Sequence, residues 1–347
     1  VRIAGYVVPD GYEAIPRLRV SSGGDVLLEF EANEIREVMV TERRHATGQC
    51  GFFVDTSMIP DLAGLDDIEI YDVESGVLIY RRPRANDHQR KILRLEPDLF
   101  PQWRLDDALK PYFQYHLRGA ENYGRETVTQ LFQLYGIDSV YLSGRILYRN
   151  YAHLIEEGHE VFTMLQDPYH QLAERLLVLG KLKMLRNHHM GARDLSYYEP
   201  TIAFAESLSY RDQKELRRGL RQMAPEVAAT LANPLIRQLT ATTPNEMPAG
   251  GALAAALDLL SSFALVGLRS AGRLYVEGIA ELLNIDPGLL PEPSKFDAVD
   301  RLAGMLKETC AVDVLLEKDL EIYHHVSESF RRIDLELQNA TRSGSAA

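Results

Sequence analysis

The feature that most constrains this chain is a change of pattern along its length. Residues 1–82 read as short alternating strands cut by turn signals, whereas from about Tyr112 short apolar runs alternate with stretches of helical spacing. A period of two buries one face of a sheet, and strand–helix alternation requires a mainly parallel sheet covered on both faces. The fold class expected is therefore α/β, a mostly parallel sheet flanked by helices, plus a small antiparallel β-sandwich domain. The boundaries follow: a sandwich over 1–82, a linker over 83–110, the α/β domain over 111–335 and a flexible tail over 336–347. A length of 347 residues suits two domains.

In the first part, Arg2–Val8 alternates until Pro9-Asp10-Gly11 breaks the run. Arg17–Ser21 and Val26–Phe30 flank Gly23-Gly24, a hairpin signal, because tight turns between strands need positive φ. Cys50–Val54, Ile68–Val73 and Val77–Tyr80 complete the strand set. Arg81–Arg94 carries Pro83, Asn86 and six Arg or Lys residues and reads as a linker. Beyond it, Phe113–Leu117, Ser139–Leu142, Glu160–Leu165 and Phe263–Gly267 are strand candidates. Glu126–Tyr135, Tyr169–Leu185, Arg273–Leu283 and Val312–Arg332 have helical spacing, and residues 194–231 read as inserted helices.

Composition excludes several classes. A formal charge of −12 opposes general nucleic-acid binding, which needs a basic face. Cys50 and Cys310 are the only cysteines, too few for a zinc cluster or a disulfide framework, so a reducing, cytoplasmic compartment is expected. The most apolar stretch, Gly251–Leu268, is interrupted by Asp258, Ser261 and Ser262; it reads as a helix running into a strand, not a membrane span. His188-His189 and His324-His325 are adjacent pairs that diverge by about 100° on a helix, so no metal is expected.

Four stretches in order resemble the carbohydrate sulfotransferase group of the P-loop-like sulfotransferase superfamily. Val161–Tyr169 looks like that family's strand followed by Leu-Arg-Asp-Pro. Asn233–Leu239 resembles its N-x-x-x-R-x-L element. Phe263–Leu268 with the helix through Leu282-Leu283 is similar to F-x-x-V-G-L and L-x-x-L-L, and Asp319–Tyr323 to the closing D-x-x-L-Y helix. Residues 32–36 and 48–52 also resemble small β-sandwich accessory domains of bacterial polysaccharide-modifying transferases.

The resemblance implies transfer of a sulfuryl group from 3′-phosphoadenosine 5′-phosphosulfate to a carbohydrate hydroxyl. Such a donor needs backbone amides at a helix N-terminus and cationic side chains, plus a base for the acceptor proton. The family's first phosphate motif falls over His116–Val128, with Arg118, Gly124, Arg125 and Thr127 as donor contacts, but its Lys has no counterpart and Glu126 stands nearby. A carboxylate about 4 Å from a phosphate costs on the order of 4 kcal/mol at an effective dielectric near 20. On the 3′-phosphate side Gln166 replaces the family's Arg, and Glu174 stands where a Ser is usual. Arg237 falls near the reacting centre, and Arg145 replaces a His that acts as base; His116, Glu121 or Glu126 are the alternatives. Two readings follow. One is a divergent sulfotransferase acting on a bacterial cell-surface polysaccharide or lipopolysaccharide. The other is a non-catalytic glycan-binding or scaffolding protein of the same fold. A transferase with another phosphorylated donor stands third.

Tyr148, Tyr151, Tyr197 and Tyr198 are candidates for stacking on sugar rings or for packing. The basic stretch from Lys181 to Arg193, with Lys214, Arg217, Arg218 and Arg221, is either an acceptor groove or a set of solvated helix faces.

Overall fold

The fold comes from a computed structural model that describes residues 1–134, 136–184 and 190–344, with side chains through Arg332. Its first seven strands are β1 (Arg2–Tyr6), β2 (Arg17–Ser22), β3 (Asp25–Glu31), β4 (Glu34–Ile35), β5 (Gln49–Asp55), β6 (Glu69–Asp72) and β7 (Leu78–Arg81). They form two antiparallel sheets, ordered β1-β5-β4 and β3-β2-β6-β7. Ile3, Phe52 and Val54 of one sheet and Leu18, Val20 and Ile70 of the other share a buried cluster, so the sheets pack face to face. Gly23 (φ +60°) and Gly24 (φ +91°) make the β2–β3 turn, a backbone shape that suits glycine alone.

The stretches 32–36 and 48–52 hold one another. Asn33 Oδ1 accepts from Phe53 N–H (3.0 Å), and Arg36 donates to the Gly5 carbonyl (3.1 Å) and Glu34 (3.0 Å). A side chain at Gly48 or Gly51 would collide with Arg36. These motif residues are thus sandwich framework. The short helix α1 (Glu37–Thr41) joins β4 to β5.

The third sheet contains β8 (Lys91–Leu95), β9 (Tyr115–Leu117), β10 (Val140–Gly144), β11 (His159–Leu165) and β12 (Leu265–Leu268), ordered β12-β11-β8-β10-β9. Its outer pairs are parallel, with Thr163 opposite Val266 and Met164 opposite Gly267. The helices are α2 (Trp103–Leu109), α3 (Arg125–Phe132), α4 (Ala152–Glu156), α5 (Pro168–Gly180), α6 (Ala192–Ser207), α7 (Gln213–Arg221), α8 (Pro225–Leu231), α9 (Pro234–Thr240), α10 (Ala252–Ser262), α11 (Gly272–Leu283), α12 (Asp297–Lys307), α13 (Cys310–Leu315) and α14 (Glu317–Gly344). The α/β class with a parallel sheet and added antiparallel sheets is therefore present. Gly251–Leu268 resolves into α10 and β12, and among the described residues no helix is long and apolar enough to cross a membrane.

The segment expected as a linker behaves otherwise. It supplies β8, the central strand, and α2. Its basic residues disguised a strand: Ile92 and Leu93 are fully buried, and Arg94 is buried too because Asp106 of α2 takes both its Nε and Nη2 at 3.0 Å. A bidentate carboxylate offsets the cost of burying a guanidinium.

By contact density the chain divides into two compact units. The first comprises Val1–Arg94, Trp103–Gly144 and His153–Glu160; the second comprises Leu95–Gln102, Arg145–Ala152 and Val161–Ala347. In the second, Leu172, Leu176 and Leu179 of α5 share a core with Leu216 and Leu220 of α7 and Leu302 and Leu306 of α12. Helix ends are fixed by side chains. Asp167 accepts the Tyr169 (3.1 Å) and His170 (3.3 Å) amides at the start of α5, where Pro168 has no N–H to satisfy. Asn233 and Asp319 cap each other's helices: Asn233 Oδ1 accepts from Lys318 N–H (2.9 Å) and Asp319 N–H (3.2 Å), and the Asp319 carboxylate from Leu235 and Ile236 N–H, both at 2.9 Å.

Candidate functional site

Helix α3 begins where the donor's phosphate was expected. The first turn of a helix presents unpaired N–H groups that attract an anion. Here the anion is already supplied by the chain. Asp10, from the loop after β1, accepts from Gly124 N–H (2.9 Å), Thr127 N–H (3.1 Å) and Thr127 Oγ1 (2.9 Å). A side chain at Gly124 would collide with that carboxylate, so glycine is required for the cap to seat. Glu126 is turned away into a pair with Arg44 (2.9 Å).

The other residues of this stretch are likewise engaged or apart. Arg118 pairs with Asp107 (2.6 Å) and lies over the Trp103 ring, 5.1 Å from its centroid. Arg125 is exposed. His116 stacks on Tyr141 with ring centroids 5.3 Å apart, and its Nε2 donates to the Asp106 carbonyl at 3.0 Å. Burial lowers its pKa to about 4. Glu121 is buried beside Gly144, where any side chain would strike its carboxylate.

The second place to look is set by topology. The chain runs from β8 to β9 and β10 on one side, then to β11 and β12 on the other, so winding reverses at β8. Ligands of open α/β sheets sit outside the carboxyl ends of strands at such a reversal. The loop after β8, Glu96–Gln102, belongs to the second unit together with the residues that fasten it. Glu96 accepts from the Asp98 (3.4 Å) and Gln102 (3.2 Å) amides, and Glu174 of α5 from the Phe100 amide (3.0 Å). Gln171 donates to the Pro97 carbonyl (3.1 Å), and Arg175 to Tyr198 Oη (2.9 Å). Residues 171, 174 and 175 share one helical face, which turns a polar stripe inward.

Charge in this cluster is balanced from β12's end. Arg269 Nη1 lies 3.0 Å from Asp98 and 3.4 Å from Glu174, both buried. Burial and then the neighbouring Asp98 push Glu174 up to about 8, and burial raises Asp98 as well. Glu174 thus keeps at neutral pH a proton that a free carboxyl would release. Loop amides that would grip a phosphate are bonded to the protein's own carboxylates.

Among the remaining expected site residues, Arg145 is ion-paired with Asp194, and Arg237 is buried with its guanidinium on the carbonyls of Ala229 (2.7 Å), Thr230 (2.6 Å) and Pro244 (3.1 Å). The latter closes the C-terminal end of α8. Gln166 directly follows β11, with 7% exposure and an Nε2 that has no hydrogen-bond partner. Tyr148, Tyr151 and Tyr198 are buried, and the Tyr197 hydroxyl donates to the Pro244 carbonyl (3.0 Å), so packing claims them. From the basic set, Lys183 pairs with Glu206 and Arg217 with Glu308. His324 and His325 are exposed, His188 and His189 lie outside the described residues, and no three potential metal ligands converge among those described.

The first unit also contains a cavity of about 740 Å³ between β1, β6 and β7 of the sandwich and β9 and α3. Sequence reasoning missed it, as it missed Asp10, Asp98 and Arg269. The first and last of these act on elements more than 100 residues away, a distance that no spacing rule reaches. Compared with known protein families and with curated proteins, the chain matches none.

Proposed function

We propose that this chain is a non-catalytic carbohydrate-binding protein built on a sulfotransferase-like α/β sheet, without a working site for the phosphosulfate donor. The Asp10 carboxylate seated on the start of α3 carries this reading. A second carboxylate-filled loop, Glu96–Gln102, supports it from the other candidate position. Moving a phosphate against the Asp10 carboxylate would set like charges within about 4 Å of each other, on the order of 4 kcal/mol unfavourable at an effective dielectric near 20. The carbohydrate part rests on the likeness of residues 32–36 and 48–52 to accessory domains of polysaccharide-modifying transferases.

Thermal unfolding with adenosine 3′,5′-bisphosphate tests the proposal. No rise in melting temperature is expected at millimolar nucleotide, because a ligand that binds the folded state must stabilise it. A dose-dependent rise that Arg118→Ala or Arg125→Ala abolishes would restore the donor-site reading.

A further inference from the structure

The cavity of the first unit has a lining that selects among ligands. Its walls are apolar and aromatic, with Tyr6, Phe52, Tyr80 and Leu131 among them, and they carry the amides Gln89 and Gln114. Acidic groups occur too: Asp10, Asp72, Glu74 and Asp138. No Lys, Arg or His lines it among the described residues. At about 740 Å³ it falls within the range of about 300–1,000 Å³ typical of small-molecule sites.

Two of the acids are already engaged. Asp10 caps α3, and Asp72 accepts from Ser75 N–H (2.9 Å) and its hydroxyl. Glu74 and Asp138 are exposed, and Lys91 Nζ lies 3.8 Å from Asp138. With acidic groups in its lining and no cation among them, the cavity disfavours phosphorylated, sulfated or carboxylated molecules.

We infer that this cavity binds an uncharged, hydroxyl-rich ring of the sugar class and rejects its phosphorylated forms. The inference rests on the carbohydrate-binding reading and gives it a place. Acceptors at Glu74, Asp138 and the glutamines suit ring hydroxyls, while the rings of Tyr6 and Tyr80 suit the apolar side of the ring.

Saturation-transfer NMR on the full chain tests it, with a mixture of glucose, galactose, mannose, rhamnose and N-acetylglucosamine, then glucose 6-phosphate and mannose 6-phosphate. At least one free sugar is expected to receive saturation, and the phosphates at least tenfold less. Ala4→Trp, at an exposed position of the cavity wall, should weaken sugar binding at least tenfold. Absence of transfer to every free sugar, or equal transfer to the phosphates, overturns the inference. Sugar binding that survives Ala4→Trp removes this cavity as the site while leaving the carbohydrate-binding reading in place. Binding of adenosine 3′,5′-bisphosphate instead of sugars defeats the reading itself.

Discussion

At the scale of single residues, carboxylates do the unexpected work. Asp10 satisfies three donors at the start of α3, so Asp10→Ala is expected to lower stability by about 0.5–2 kcal/mol, read by urea denaturation. Glu174 makes a pH prediction. Its pKa rises from 4.5 to about 8 through burial, with Asp98 and Glu96 adding repulsion and Arg269 opposing them. A folded state that holds a proton more tightly than the unfolded chain loses relative stability as pH climbs. This contribution is whole below pH 4.5, falls between about 4.5 and 8, and levels above. Glu174→Gln keeps an acceptor for the Phe100 amide and removes the proton, so its urea midpoint should be flatter across that window. A slope equal to the wild type's would mean that Glu174 is not the group titrating.

At the scale of elements, the motifs that carried the family resemblance turn out to be joints. Asn233 and Asp319 tie the start of α9 to the start of α14, Asp167 starts α5, and Arg237 closes α8. Asp319 is fully buried, and desolvation lifts its pKa to about 6 even though two amides favour its charged form. Each hydrogen bond to a charged group contributes roughly 1.5–3 kcal/mol, so Asp319→Ala should cost about 3 kcal/mol or more. Asn233→Ala should cost less, and the double substitution less than the two added, because each residue serves the other's helix. Additive losses in denaturant titrations would deny the coupling. Such joints were legible as motifs, but their sequence spacing said nothing of what they bond. The strands show the same limit. Val26–Phe30 and Glu160–Leu165 announced themselves by alternation or by apolar runs, while Lys91–Leu95 hid because Arg94 is paired inside the core. Period and polarity predict a strand's exposure; they cannot see the aspartate that lets a charge go in.

At the scale of the whole molecule, what sequence order separates, contact reunites. Residues 1–82 read as a domain of their own, yet they share a compact unit with 103–144. The ties are specific: Val8 N–H donates to Gln130 Oε1 (2.7 Å), Arg44 reaches Glu126 (2.9 Å) and Gln133 (3.3 Å), and Asp10 caps α3. Helix α3 has only eight residues, too short to persist by its own propensity. A chain beginning at Pro83 would leave that helix with an unmet N-terminus, an unpaired Glu126 and Gln130, and one wall of the cavity missing. Amide hydrogen exchange should then find residues 125–132 unprotected in the shortened chain and protected in the full one, while α5 keeps its protection because its partners lie in the second unit. Equal protection of α3 in both chains would show that the sandwich ends at residue 82 as an independent domain, and Asp10 would then be a dispensable cap, not the reason the phosphate position is closed.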